Sequence, residues 1–325
     1  MKVRTLTIII LVILGAAALA WYIHLQRLIK LVAMSDQLAS EKFDDAQEAM
    51  DWLAHYGRGA VPALNGLLQK RALKEYWPQQ WRAAQVLAQI GDESSIQPLI
   101  DALGPDHATP VRAAAAKALG RLRAIEAKAT LTDILDDKKS DLDLRCAAAL
   151  ALGRLGDKDA VGSLLAALAQ RPPVPPKAKE GEAGAQEPPP PPPPPDETIP
   201  LRVAACQALG QIREPTSVND LSAAADPDVE PSLLVQREAV AALGEIGSQD
   251  AIPTLLKRLQ DVREKPGADK IVPDTDGDIR VAAAHALGQV GAGTPEVIAA
   301  LQASATADRH YWVRLAAQES LERLR

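Results

Sequence analysis

Aromatic residues are scarce in this chain: they make up 3% of it, with a single Phe. A core built around large rings is therefore excluded. Hydrophobic residues still amount to 47%, so the interior must be filled by Ala, Leu, Val and Ile, which suits closely packed helices. Cysteine is scarcer still, with only Cys146 and Cys206 present. No CxxC or Cys/His grouping has metal-ligand spacing, so a disulfide framework and a zinc module are both excluded, and the two thiols read as small buried side chains. Positive charge is not in excess either. A net charge of −6 and a pI near 5.5 argue against a nucleic-acid partner, which would need a basic face to displace counterions from phosphate.

Long hydrophobic runs are confined to one place. Residues 1–4 are short and basic, and no charge occurs from Thr5 to Ile23, a stretch that contains Ile8 to Leu14 and closes on Trp21 and Tyr22. That length spans a bilayer, so the sequence predicts a single-pass transmembrane helix over 5–23. The alternative is a signal peptide cleaved after Ala20, because Ala18-Leu19-Ala20 is an A-x-A pattern behind a basic start. Lys2 and Arg4 outside the span's start favour an inside N-terminus, which predicts membrane localisation with the rest of the chain extracytoplasmic, on the periplasmic side.

The dominant signal is internal repetition. The segments VRAAAAKALGRL (Val111 to Leu122), LRCAAALALGRL (Leu144 to Leu155), LRVAACQALGQI (Leu201 to Ile212), VQREAVAALGEI (Val235 to Ile246), IRVAAAHALGQV (Ile279 to Val290) and VRLAAQESLERL (Val313 to Leu324) share one pattern. The corresponding leucines are Leu53, Leu87, Leu119, Leu152, Leu209, Leu243, Leu287 and Leu321, spaced by 34, 32, 33, 57, 34, 44 and 34 residues. Two insertions explain the long spacings: a proline-rich loop over 171–200, with Pro188 to Pro195 unbroken, and a second loop over 263–277. Without them the period is about 33 residues, one two-helix repeat.

With the Arg position as zero, apolar residues fall at −1, +3, +7 and +10, a single stripe on a 3.6-residue helix. Asp143 and Asp278 precede that Arg by two and suit N-capping; Pro110 and Pro200 hold the same place, where a first-turn proline costs no hydrogen bond. Partner helices follow at Ile96 to Leu103, Ala160 to Leu168 and Ala251 to Leu259, after Gly91, Gly156, Gly247 or Gly291, which match a helix end requiring φ > 0. Such hairpins cannot close a core alone and must stack. The expected fold is an all-α solenoid of the armadillo/HEAT-like superhelical kind: membrane-proximal helices and a degenerate capping repeat over 24–57, then repeats over 58–325.

The segments V-R-x-A-A-x-x-A-L-G and G-x-x-x-A-I-P-x-L-x-x-x-L resemble the HEAT-like repeat of the phycobilisome-lyase type, widespread in bacterial scaffold proteins. The resemblance covers about Glu41 to Arg325. It implies a scaffold or adaptor that binds protein, and the lack of any G-x-S-x-G, P-loop, H-E-x-x-H or strand-to-helix G-x-G-x-x-G motif adds the expectation of no catalysis and no cofactor. The alternative it offers is a HEAT-like enzyme or lyase subunit, bilin-lyase-like or of the deoxyhypusine-hydroxylase oxidoreductase type. The latter family carries His-Glu dipeptides for a di-iron centre, and here no His is followed by Glu. The stretch Asp274-Thr275-Asp276-Gly277-Asp278 is similar to the start of an EF-hand loop, but position twelve is His285 where a Glu would be needed.

Two sets of polar residues stand out. Arg112, Arg145, Arg202, Arg280 and Arg314 hold position zero and read as a structural ladder to neighbouring turns. Positions +5 and +9, opposite the apolar stripe, give a candidate partner-binding face containing Gln85, Lys117, Arg121, Arg154, Gln207, Gln211, His285 and Gln289. Its basic part, Lys117, Arg121 and Arg154, suits an acidic peptide or helix.

Overall fold

The computed structural model describes residues 2–69, 77–170, 196–261, 275–291 and 293–324, with side chains from Leu14 onward and, in the stretch that opens at Thr275, from Gly277. The proline run at 188–195 and nearly all of the second insertion lie outside these residues. Every regular element described is helical, and the chain divides into two compact units, Met1–Leu122 and Arg123–Arg325.

The first unit holds α1 (Lys2–Gln37), α2 (Phe43–Tyr56), α3 (Val61–Gln69), α4 (Trp77–Ile90), α5 (Ile96–Asp101) and α6 (Thr109–Leu122). Hairpins α2/α3 and α4/α5 pack in series, α2 on α4 and α4 on α6, with α3 on α5 behind them. The buried stripe is the one periodicity dictates: Leu53 on α2, Leu87 on α4, Val111, Ala115 and Leu119 on α6. The end of α1 joins this stack. Leu31, Ser35 and Leu38 are buried, and Gln79 donates from Nε2 to the Ser35 carbonyl at 2.7 Å.

Helix α1 corrects the expectation at the N-terminus. It runs unbroken through Thr5 to Ile23, yet among the described residues no helix is long and apolar enough to cross a membrane. His24, Gln26, Arg27 and Lys30 then follow within the same helix. The single-pass anchor, membrane localisation and periplasmic placement are accordingly unsupported. The Ile8 to Ile13 side chains lie outside the described residues.

The second unit holds α7 (Lys128–Asp136), α8 (Leu142–Leu155), α9 (Val161–Leu168), α10 (Ile199–Ile212), α11 (Val218–Ala225), α12 (Leu233–Ile246), α13 (Ile252–Gln260), α14 (Thr275–Val290), α15 (Pro295–Ala307) and α16 (Tyr311–Arg323). The first helices of successive hairpins, α8, α10, α12, α14 and α16, pack directly on one another, while α11, α13 and α15 line up behind them. Most hairpin turns contain a single 3-10 turn, such as Lys158–Ala160, so each second helix begins a few residues after the first ends. The repeat solenoid-like, all-α architecture follows in each unit from this serial stacking.

Glycine inside the first helices sets how closely they approach. Gly153, Gly210, Gly244 and Gly288 all sit at the place after the repeat leucine, and a methyl group on each would collide with the next first helix. At Gly153 the added carbon would stand 2.6 Å from the Cα of Ala208; at Gly244, 2.8 Å from that of Ala286. Small-on-small contact lets the backbones meet and gives the Ala-rich interior its density.

Three local expectations need correction. Asp141, not Asp143, caps α8, accepting from the Asp143 amide at 2.9 Å, while Asp278 lies inside the first turns of α14. Gly291 lies outside the left-handed region; an added carbon there would stand 2.5 Å from Val297 Cγ1, and the positive φ falls instead on Gly293. After α6 and α10 the left-handed position is taken by Arg123 and Arg213, with φ of 52° and 58°, where no glycine occurs at all.

Candidate functional site

The +5 and +9 side chains emerge where helix periodicity puts them, on the side of each first helix away from its partner helix. In the first unit Gln85 is half-buried on α4, and Lys117 and Arg121 are exposed on α6. In the second unit Arg154, Gln211 and Gln289 are exposed on α8, α10 and α14, with Gln207 and His285 half-buried beside them. The three basic residues divide between the units: Lys117 and Arg121 share α6, and Arg154 belongs to the other.

The +9 residues fold back over the glycines of the preceding helix. A carbon added at Gly153 would come within 3.0 Å of Gln211 Oε1, one at Gly210 within 2.7 Å of Glu245 Oε2, and one at Gly244 within 3.0 Å of Gln289 Oε1. The glycine therefore does two things: it admits the next helix, and it leaves a shelf on which a polar side chain rests.

Between α12 and α14 this arrangement opens a groove of about 420 Å³. Its floor is Ala241, Val281, Ala282 and Ala286; Glu238, Glu245 and Asp278 stand around it with Arg237, His285 and Gln289. Glu238 is held from two sides. Arg237 Nη2 donates to it at 2.9 Å and Gln207 Nε2 at 3.1 Å. Desolvation pushes the Glu245 carboxyl above the usual carboxylate range, helped by the charge of Glu238 and opposed by Arg213.

That shift fixes a pH dependence. Because Glu245 binds its proton more tightly in the folded chain, its contribution to stability is most favourable below the unfolded carboxylate value and is lost as pH rises through the raised folded value. Glu245→Gln removes the ionised carboxylate and is expected to melt higher than the parent at pH 7, with the difference gone at about pH 4. Thermal unfolding at the two pH values checks this; an equal difference at both would remove the electrostatic explanation.

Position zero points away from that face and into the joints between repeats. Arg112 Nε donates to the Leu103 carbonyl at 2.8 Å, and Arg145 Nε to the Leu135 carbonyl at 3.0 Å. Arg202 is fully buried between Asp196 and Glu230, forming ion pairs with both. Arg280 Nε reaches Asp308 Oδ2 at 3.0 Å, and Arg314 Nη1 donates to the Asp308 carbonyl at 2.7 Å. In the repeats that carry glutamine here, Gln80 donates to the Leu67 carbonyl at 3.2 Å and Gln236 to that of Glu230 at 2.6 Å.

Sequence reading missed Arg258. This residue, near the end of α13, is buried, pairs with Asp261 and donates from Nη2 to Gln236 Oε1 at 3.2 Å. A guanidinium thus reaches the joint from the second helix in the repeat whose first helix lacks one. The signal was present as a lone Arg amid the apolar stripe of IPTLLKRL. The groove acids Glu238 and Asp278 were also missed as surface features, because they lie at +2 and −2 and only the approach of two helices brings them together. Among the described residues no group of three or more His, Cys, Asp or Glu side chains converges to hold a metal.

The sequence matches the pattern of HEAT repeats over residues 32–120, 65–143, 109–176, 195–265 and 270–322. No curated protein matches it. Among solved structures it is similar to human deoxyhypusine hydroxylase in complex with glycerol, at 20% identity and a TM-score of 0.35, over 91% of this chain and 96% of that one. It is also similar to the complex of CpcE and CpcF of phycocyanin lyase from Nostoc sp., at 20% identity and a TM-score of 0.46, over 90% of this chain and 93% of that one. At this identity the likeness extends to the fold alone. Both names are those of enzymes, and the expectation that this chain is not an enzyme is withdrawn.

Proposed function

We propose that this chain, which belongs to the HEAT-repeat family, is a protein-binding platform whose recognition face is the outward side of its first helices. The observation that carries this reading is the row of exposed +9 side chains on consecutive helices, Arg154, Gln211, Glu245 and Gln289, for which the stack itself has no use. Side chains that serve packing are turned elsewhere: the stripe is buried, and position zero is spent on the joints. A face of polar groups resting on small residues offers a partner hydrogen-bonding positions at fixed intervals with little steric obstruction. On α6, Lys117 and Arg121 lie one turn apart and exposed, which suits an acidic segment or helix.

A photo-reactive residue placed at Lys117 or Gln211 in the intact chain, in its own cells, is expected to yield discrete protein adducts. The same residue at Asn219 or Asp220, exposed on α11, is expected to yield none. Adducts arising only from α11 would reject the assignment of the face. Reversing the charges of Lys117 and Arg121 should diminish the adduct at α6; an unchanged yield would remove the acidic segment from the proposal.

A further inference from the structure

The groove between α12 and α14 differs in chemistry from the basic surface of α6, and we infer that it receives a basic segment of a protein partner, with arginine side chains laid along its alanine floor. This rests on the platform reading and adds the sign and size of the ligand for one place on it. The floor of Ala241, Val281, Ala282 and Ala286 is apolar and shallow enough for the methylene stem of an arginine, which gains by covering such surface while its charged head stays at the edge. At that edge stand carboxylates. Glu238 and Glu245 lie seven residues apart on α12, about 10 Å along the helix, and Asp278 faces them from α14. Side chains on one face of an extended chain recur about every 7 Å, and the long arginine side chain covers the remaining few ångströms to carboxylates about 10 Å apart.

Charge complementarity decides for a cation over an anion. Arg237 is engaged with Glu238, and Arg213 acts on Glu245 from the end of α10, so two positive charges offset part of three negative ones. The balance is one negative charge, and among the described residues neither Glu245 nor Asp278 is held in an ion pair. A guanidinium fork can take a carboxylate with two parallel hydrogen bonds, which an ammonium cannot. An acidic segment would meet Glu245 and Asp278 with like charge.

The test uses the full-length chain and a fluorescein-labelled tetra-arginine peptide, followed by anisotropy at low and moderate salt. Saturable binding that weakens with salt is expected. The double variant Glu245→Gln/Asp278→Asn should bind about tenfold more weakly, while Asp220→Asn on α11 should bind as the parent does. Thermal unfolding of the double variant at neutral pH, expected within a few degrees of the parent, separates a loss of binding from a loss of fold. Equal affinity in parent and double variant, no saturable binding, or preference for a tetra-glutamate peptide would each overturn the inference. If that happens while Lys117 and Gln211 still give adducts in cells, the groove assignment fails and the platform reading survives; if the adducts fail as well, both fall.

Discussion

Arg202→Ala is expected to destabilise the 123–325 unit by about 3–5 kcal/mol, the largest effect of any single substitution considered. The side chain is wholly buried and lies against Glu230, which is buried to the same degree, and against Asp196, mostly covered. Removing the cation takes away the countercharge that Arg202 supplies to the buried Glu230 carboxylate, and the cost of that loss exceeds what the intact pair contributes. The consequence should be local before it is global. Glu230 Oε1 also accepts from the Ser232 amide at the entrance to α12, so loss of the pair loosens the start of that helix. Urea unfolding followed by helical circular dichroism would register a lower midpoint. The double variant Arg202→Met/Glu230→Leu should recover most of the loss, because it removes both charges at once. If the single variant unfolds at the parent's urea concentration, the buried pair does not hold the joint.

The second large effect concerns glycine, and its sign changes with position. Gly153→Ala is expected to destabilise by about 1–3 kcal/mol, since the new methyl would stand 2.6 Å from the Ala208 Cα and 2.8 Å from its Cβ. Neither contact is the end of a flexible chain, so two helix backbones must separate. Gly162→Ala, in α9, meets nothing within 4 Å and should stabilise by about 0.5–1 kcal/mol, the ordinary gain of replacing helical glycine. Comparing the two urea midpoints isolates packing from propensity. Two shifts of the same sign would show that close approach is not what glycine supplies here.

These glycines mark the limit of what sequence could convey. The stripe Val111, Ala115, Leu119 and its equivalents was legible because a 3.6-residue period needs only the chain itself, and the 33-residue recurrence identified the stacking. The glycine after the repeat leucine was passed over as part of a motif, although glycine recurring in mid-helix at a cost of about 1 kcal/mol each calls for a reason. That reason lies on the neighbouring helix, at Ala208, Ala242, Ala286 and Ser320. Arg258 escaped for a related cause. It serves position zero of its own repeat from the second helix, and a register search along first helices cannot see it. The candidate face was legible residue by residue, whereas the acidic character of the groove was not, because Glu238 and Asp278 belong to different helices and no single-helix pattern joins them. At the N-terminus the hydrophobic run was read as a span, but among the described residues no helix is long and apolar enough to cross a membrane.

The contact of Gly153 with Ala208 has one more consequence. Helices α8 and α10 touch backbone to backbone although more than forty residues of chain separate the end of one from the start of the other. Adjacency there is secured sideways, by the packed surfaces of the two helices and of α9 beside them. A break engineered within 177–190 is therefore expected to leave two pieces that stay clasped and keep their helical signal, since loop length enters the cost of such an association only weakly.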